Sequence, residues 1–105
     1  MDPREERIGR NETLFREVNE RIEQVSPSYE TEFICECGDR DCIDPVPMTL
    51  GEYEKIRMEP HRFLVVPGHE IPDVERVVDR GDGYLVVEKH EGGPAELAER
   101  EDPRS

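Results

Sequence analysis

Three cysteines within eight residues are the feature that most constrains this chain. Cys35, Cys37 and Cys42 form the pattern C-x-C-G-x3-C, with Gly38 directly after the second cysteine. Glycine can adopt left-handed backbone conformations, so we expect Gly38 to turn the chain and let the sulfur atoms face one point. Thiols this close together are typical of a metal site. The alternatives are three free buried thiols, or one disulfide with an odd thiol left over.

A structural zinc site needs a fourth ligand, and the chain contains three histidines. His69 is favoured because Pro67-Gly68 places it in a turn after a predicted core strand. The other candidates follow in this order: His61, His90, and then Asp39, Asp41 or water. The open alternative for His69 is a surface turn residue that binds no metal. The sequence therefore predicts a Zn²⁺ site with these ligands: Cys35, Cys37, Cys42 and His69.

This ligand set favours a structural ion over a catalytic one. Three thiolates and an imidazole fill a tetrahedral shell and leave no position for a catalytic water. The chain also lacks the H-x-E arrangement of zinc deaminases, a glycine-rich phosphate loop and a recognisable Ser/His/Asp grouping. We therefore expect no enzyme but a non-catalytic zinc-binding protein that acts as a protein-interaction or regulatory module. The alternatives are a zinc-thiolate redox switch and a small metal-dependent enzyme.

The charge of the chain bears on its partners. A formal net charge of −13 argues against nucleic-acid binding, which needs clustered lysine and arginine. A protein partner with basic groups fits better, although solubility alone would also explain the acidic residues. No apolar run approaches the roughly 20 residues of a membrane helix, and the N-terminus lacks the apolar core of a signal peptide. We expect a cytoplasmic protein without membrane contact, since a reducing compartment keeps thiols free for metal.

A helix is predicted from about Arg10 to Val25, with Asn11 as its N-cap. Five apolar residues at helical spacing form a stripe along it: Leu14, Phe15, Val18, Ile22 and Val25. Read from Ile8, alternating steps of three and four residues give coiled-coil a and d positions, which would allow a homodimer through this helix. The open alternative is that the stripe packs on the domain's own sheet, as its length of fewer than three heptads favours.

Alternating polarity predicts a strand over residues 29–35 that leads into the cysteine cluster. Two prolines make residues 43–48 an extended edge strand. Thr49 and Glu52 have the spacing of a capping box for a short helix that ends before Pro60.

Two short apolar runs, residues 63–66 and 84–87, predict buried strands. Residues 71–80 contain valines at helical spacing, but their β-branched content and the Gly81-Asp82-Gly83 turn favour a hairpin with the second run.

These elements predict an α+β fold, in which an N-terminal helix packs on a small, mainly antiparallel sheet with a zinc-ribbon-like knuckle. Because 105 residues hold one modest core, we expect a single zinc-stabilised domain over residues 10–90. Residues 1–9 are predicted to be flexible. Residues 91–105 are predicted to be a disordered acidic tail, with at most a short helix near residues 95–99.

Five runs carry a resemblance that covers most of the chain except its ends: Arg10–Asn19, Phe33–Gly38, Glu52–Glu54, Pro67–His69 and Tyr84–Lys89. They look like a group of small uncharacterised bacterial proteins of similar length. The resemblance implies a zinc site of three cysteines and one histidine and a bacterial cytoplasmic origin, and it implies nothing about a substrate.

Overall fold

A computed structural model describes residues 2–27 and 29–104. Within these residues the elements are α1 (Pro3–Val25), β1 (Glu30–Ile34), β2 (Pro45–Thr49), α2 (Leu50–Arg57), β3 (Arg62–Val65), β4 (Glu75–Gly81), β5 (Tyr84–Lys89) and α3 (Gly93–Arg100). The strands form a two-stranded sheet, β1-β2, and a three-stranded sheet, β3-β5-β4. All strand pairs are antiparallel. The predicted α+β class, an N-terminal helix with small antiparallel sheets, is confirmed.

Helix α1 begins earlier than the sequence predicts. Asp2 caps it by accepting a 2.8 Å hydrogen bond from the Glu5 amide, and Pro3 occupies the first turn, where its missing N–H costs nothing. Ile8 is buried. The prediction of a flexible segment over residues 1–9 is therefore wrong from residue 3 onward, and Met1 lies outside the described residues. Asn11 is not the N-cap, because it lies in the third turn of the helix.

The predicted apolar stripe of α1 is divided between two faces. Phe15 is buried and Ile22 packs against the core, but the side chains of Leu14, Val18 and Val25 are exposed. The face of α1 that packs on the domain carries these buried polar and charged residues: Glu12, Thr13, Arg16, Asn19 and Glu20. Hydrophobic periodicity identifies a helix but cannot identify a buried face made of polar side chains. Dimerisation through α1 stays a prediction.

The short helix and the first two strands follow the prediction closely. In α2, the Thr49 hydroxyl accepts from the Glu52 amide at 3.0 Å and the Glu52 carboxylate accepts from the Thr49 amide at 2.9 Å, which confirms the capping box. β1 pairs with β2 so that Phe33 lies opposite Val46. The Phe33 ring stacks on the Tyr53 ring with centroids 4.3 Å apart, which fixes α2 against the strand that leads to the cysteines.

The predicted hairpin is confirmed as β4 and β5. The turn residues between them include Gly83, whose φ of 83° is favourable for glycine. A register shift between Val77 and Asp79 forms a bulge in β4. β3 pairs with the other edge of β5, so the central strand of this sheet is buried along almost its whole length.

The C-terminal segment differs from the predicted disordered tail. Residues 93–100 form α3, in which Leu97 is 1% exposed and packs beside Gly9 of α1, where a β-carbon would lie 2.5 Å from it. Beyond the helix, Arg104 forms ion pairs with Glu20 and Glu54. An isolated helix of eight residues is unstable in water, so tertiary packing and these ion pairs stabilise it here. None of the helices in the described ranges has the length and apolarity that crossing a membrane would require.

Candidate metal centre

The structure brings the four predicted ligands together. One ligand atom from each of Cys35, Cys37, Cys42 and His69 lies within 4.8 Å of all the others. Nδ1 of His69 is 3.5 Å from Sγ of Cys35 and 3.6 Å from Sγ of Cys42. In tetrahedral zinc sites, bonds of about 2.3 Å to sulfur and about 2.0 Å to nitrogen separate the two ligand atoms by about 3.5 Å. The geometry of the cluster therefore fits such an ion.

The cysteine loop is held in shape by its own backbone. The Cys35 amide donates to the Asp44 carbonyl at 2.9 Å, which extends the β1-β2 pairing to the first cysteine. The Cys42 amide donates to the Asp39 carbonyl at 3.0 Å and closes a turn that returns the chain to the cluster. In that turn, the Asp39 carboxylate accepts from the Asp41 amide at 2.9 Å. These bonds hold the loop in the conformation that brings its cysteines to the cluster.

Gly38 is required for space and not for a left-handed turn. Among the described residues, positive φ angles occur at three other glycines: Gly68, Gly83 and Gly92. A β-carbon on Gly38 would lie 2.7 Å from Cγ2 of Ile8 and 2.9 Å from Cδ1 of Ile71. The Gly38 carbonyl also accepts a 2.9 Å hydrogen bond from the Asn11 side chain. The expectation about its backbone is wrong, and the loop is instead packed tightly on α1.

His69 reaches the cluster from the turn after β3. Its amide donates to the Val66 carbonyl at 2.9 Å, and Gly68 has a φ of 97°, which glycine adopts readily. The Gly68 amide is held by the Glu70 carboxylate at 2.7 Å. The prediction that Pro67-Gly68 forms a turn that presents this histidine is confirmed.

The other predicted candidates lie elsewhere or are already bonded. Nε2 of His61 is 3.3 Å from the Glu99 carboxylate, and His90 is exposed at the end of β5. Neither they nor Asp39 and Asp41 belong to the metal-ligand group found among the described residues. The ranking of His69 ahead of these alternatives agrees with the geometry.

Glu36, between the first two cysteines, is a structural residue that sequence reasoning missed. It is fully buried, and its carboxylate accepts from the Leu64 amide at 3.1 Å and from the Asn19 side chain at 2.8 Å. Its own amide donates to the Leu64 carbonyl at 2.8 Å. Burial raises the pKa of Glu36 to about 7. Through these bonds the cysteine loop is attached to both α1 and β3, and the alternation of C-E-C was the signal that its side chain points away from the sulfurs.

The thiols interact with one another and with the backbone. The Val66 amide donates to Sγ of Cys35 at 3.3 Å. Hydrogen bonding from Cys35 lowers the pKa of Cys37 to about 5, while the same bond, together with burial, raises the pKa of Cys35. Burial also raises the pKa of Cys42. A divalent ion would replace the shared protons, because thiolates and not thiols are metal ligands.

Comparison with protein-family models, with curated proteins and with solved structures found no match. The resemblance to small bacterial proteins stays a prediction.

Proposed function

We propose that the protein binds one Zn²⁺ ion through Cys35, Cys37, Cys42 and His69, and that the ion is structural. The observation that carries this proposal is the spacing of the four ligand atoms, with sulfur and nitrogen 3.5 and 3.6 Å apart as in a tetrahedral site. Soft thiolates favour Zn²⁺, Cu⁺ and iron–sulfur clusters, and three thiolates with one imidazole is a common structural zinc set.

The position of the cluster in the fold supports a structural metal site that joins two segments of the chain, and not a catalytic site. The ion would join the loop of residues 35–42 to the turn of residues 66–69, two segments that contact each other without a continuous strand pairing. Four protein ligands would leave no position for a substrate or a reactive water, so we propose no metal-dependent enzyme. Free thiols require a reducing compartment, and we assign the protein to the cytoplasm on that ground.

We further propose that the stabilised domain is a protein-interaction or regulatory module. Its net charge of −13 favours a partner with a basic surface and disfavours nucleic acid.

Metal analysis of freshly purified protein tests the site. We expect about one equivalent of zinc per chain, because binding energy at a structural site is also folding energy. Cys37→Ser should retain little metal and lose the rise in melting temperature that zinc gives the wild type. Less than about half an equivalent in the wild type, or unchanged metal content and melting in Cys37→Ser, would contradict the proposal. Pull-down with wild type and Cys37→Ser side by side then tests whether a partner requires the zinc-bound form.

A zinc-thiolate redox switch is the second candidate, and the unequal exposure of the ligands favours it. Cys35 and Cys37 are buried, whereas Cys42 is half-buried and the His69 side chain is 32% exposed. The Cys42 thiolate would attack a peroxide to give a sulfenic acid and hydroxide, and the Cys37 thiolate would then displace a second hydroxide. The disulfide formed has lost two electrons to the peroxide, and Zn²⁺ leaves without changing oxidation state.

Peroxide titration in the presence of a chromophoric zinc chelator tests this second candidate. We expect zinc release in step with a Cys37–Cys42 disulfide found by peptide mapping, and recovery of binding with a thiol reductant. Zinc that stays bound under peroxide, with no change in the affinity of a partner, would rule out the switch while leaving the structural site intact.

A further inference from the structure

The two ring nitrogens of His69 face different groups. Nδ1 points to the sulfurs of Cys35 and Cys42, at 3.5 and 3.6 Å. Nε2 points away from them and lies 3.6 Å from Oδ2 of Asp44. The imidazole ring therefore lies between the thiol cluster and a carboxylate. The thiols can interact only with Nδ1, and the carboxylate can interact only with Nε2.

Asp44 is held in this place by the cysteine loop itself. Its carbonyl accepts from the Cys35 amide at 2.9 Å, directly after the last pair of the β1-β2 ladder. Among the described residues, no lysine or arginine lies within ion-pair distance of its carboxylate, whose one close charged contact is His69. The nearby acidic groups are engaged, since Glu70 binds the Gly68 amide and Asp39 binds the Asp41 amide.

We propose that His69 ligates the metal through Nδ1 and that Asp44 is the positioning residue that orients its ring. This inference depends on the proposed zinc site. A neutral imidazole carries one proton, so a metal bond at Nδ1 requires the proton on Nε2. A carboxylate facing Nε2 accepts that N–H, selects this tautomer and makes Nδ1 a stronger donor to the metal.

The separation of 3.6 Å is about 0.7 Å longer than a usual N–H···O hydrogen bond of about 2.9 Å. The Asp44 side chain is 56% exposed and has room to rotate toward the ring. An ion that fixes His69 from the opposite side keeps Nε2 aimed at Asp44, so that this small rotation completes the bond.

The test compares zinc affinity, measured by competition with a chromophoric chelator, in wild type, Asp44→Ala, Asp44→Asn and Asp41→Ala. Loss of a carboxylate that orients a ligating histidine typically costs about 10- to 100-fold in metal affinity. We expect Asp44→Ala to lose at least about tenfold and Asp44→Asn to lose less, because its amide oxygen can still accept the N–H. Asp41→Ala is the matched control, since it removes an equal charge one residue before Cys42 without contacting His69, and it should change affinity less than about twofold.

Long-range ¹H–¹⁵N NMR of the zinc-bound wild type gives a readout that a merely structural role would not change. We expect the proton of His69 on Nε2 and the metal on Nδ1. The opposite tautomer, or equal affinities in Asp44→Ala and Asp41→Ala, would overturn the inference while the zinc site stands. A wild type that binds no zinc would overturn both proposals, and equal melting of the zinc-free forms checks that the variants fold.

Discussion

At the scale of single residues, Gly38 shows how closely the cysteine loop packs on the rest of the domain. Its α-carbon faces the branched side chains of Ile8 and Ile71, and a β-carbon would approach them to 2.7 and 2.9 Å. Both neighbours are themselves held by the domain, because Ile8 is buried in α1 and Ile71 lies half-buried in the β3-β4 connection. The loop that carries the candidate ligands thus requires a residue without a side chain at this position.

Gly38→Ala should therefore destabilise the protein. Overpacking a well-filled site costs about 1–3 kcal/mol, and we expect a loss in the free energy of unfolding within that range. Gly51→Ala is the control. Gly51 lies in helix α2, and a β-carbon there would meet nothing closer than the Thr49 hydroxyl at 3.9 Å. Alanine at that helical position should be neutral or stabilising by up to about 1 kcal/mol. Urea unfolding of the zinc-free proteins measures both, and equal effects would refute the packing argument.

At the scale of elements, a buried group of charges connects α1 to the three-stranded sheet. Nζ of Lys89 in β5 contacts the carboxylate of Glu12 in α1 and lies 3.1 Å from that of Glu75 in β4. All three side chains are at most 1% exposed. Burial raises the pKa of Glu12 well above its ordinary value, although the ammonium of Lys89 opposes this. The single positive charge of Lys89 thus faces two buried carboxyl groups, and the raised pKa of Glu12 favours the protonated form of one of them.

Lys89→Met should destabilise the fold by about 3–5 kcal/mol, because it leaves the two buried carboxyl groups of Glu12 and Glu75 without their cation. Arg76→Met is the matched control in the same sheet. Arg76 pairs with Glu88, but its side chain is 69% exposed, and loss of an exposed pair costs less than about 1 kcal/mol. Denaturant unfolding measures both variants. Equal losses in the free energy of unfolding would show that the buried group of charges is no more important than the exposed pair.

Helix α3 is the element that the sequence predicts least well, and Leu97 is its most buried side chain. Leu97 is 1% exposed and packs beside Gly9, while the Ala98 carbonyl accepts a 2.6 Å hydrogen bond from Arg16 of α1. The intrinsic signal for this helix is weak because it is short and follows Gly92-Gly93. Its order comes from α1, which is far away in sequence.

Leu97→Ala should cost about 2–5 kcal/mol of unfolding free energy, the usual range for a large-to-small change in a core. Leu14→Ala provides the contrast, since Leu14 is 53% exposed on α1 and its loss should change stability by less than about 0.5 kcal/mol. If Leu97→Ala were as mild as Leu14→Ala in thermal or urea unfolding, α3 would not be part of the core.

At the scale of the whole molecule, the sequence predicted those features that depend on local patterns. The capping box at Thr49, the hairpin of β4 and β5, and the turn that presents His69 each have a signal within a few residues. The features that it missed depend on partners distant in sequence. The polar face of α1 is buried because Arg16 and Glu12 find partners more than forty residues away, which no periodicity can indicate.

The candidate metal site also combines residues with a local sequence signal and residues whose role depends on distant partners. The spacing of the three cysteines suggested thiolate ligands directly, and the Pro67-Gly68 turn suggested the histidine. Asp44 carried no such signal in a chain with 27 acidic residues. The C-E-C alternation indicated only that the Glu36 side chain points away from the sulfurs, and not which groups it binds. Their relation to the site is visible only once β1, β2 and β3 are placed beside one another.

Removal of zinc should loosen the molecule locally and not unfold it. The two sheets share one hydrophobic core, and most of its residues lie outside the cysteine loop. Phe63, Leu64 and Val87 of this core are at most 1% exposed. The ion would connect only the loop of residues 35–42 and the turn at His69. Local opening is easiest where a connection between segments is lost, so we expect the effect of removing the ion to be confined to the two segments that it would join.

Amide hydrogen exchange with and without a chelator measures this distribution. The amides of Cys42 and His69, which close the two turns at the site, should exchange at least about tenfold faster in the zinc-free protein. The amides of β5, paired on both sides by β3 and β4, should change far less. Cys37→Ser without chelator should reproduce the same pattern. If exchange accelerated equally in β5 and in the turns, the ion would support the whole fold. The packing of the core alone would then not keep the sheet folded.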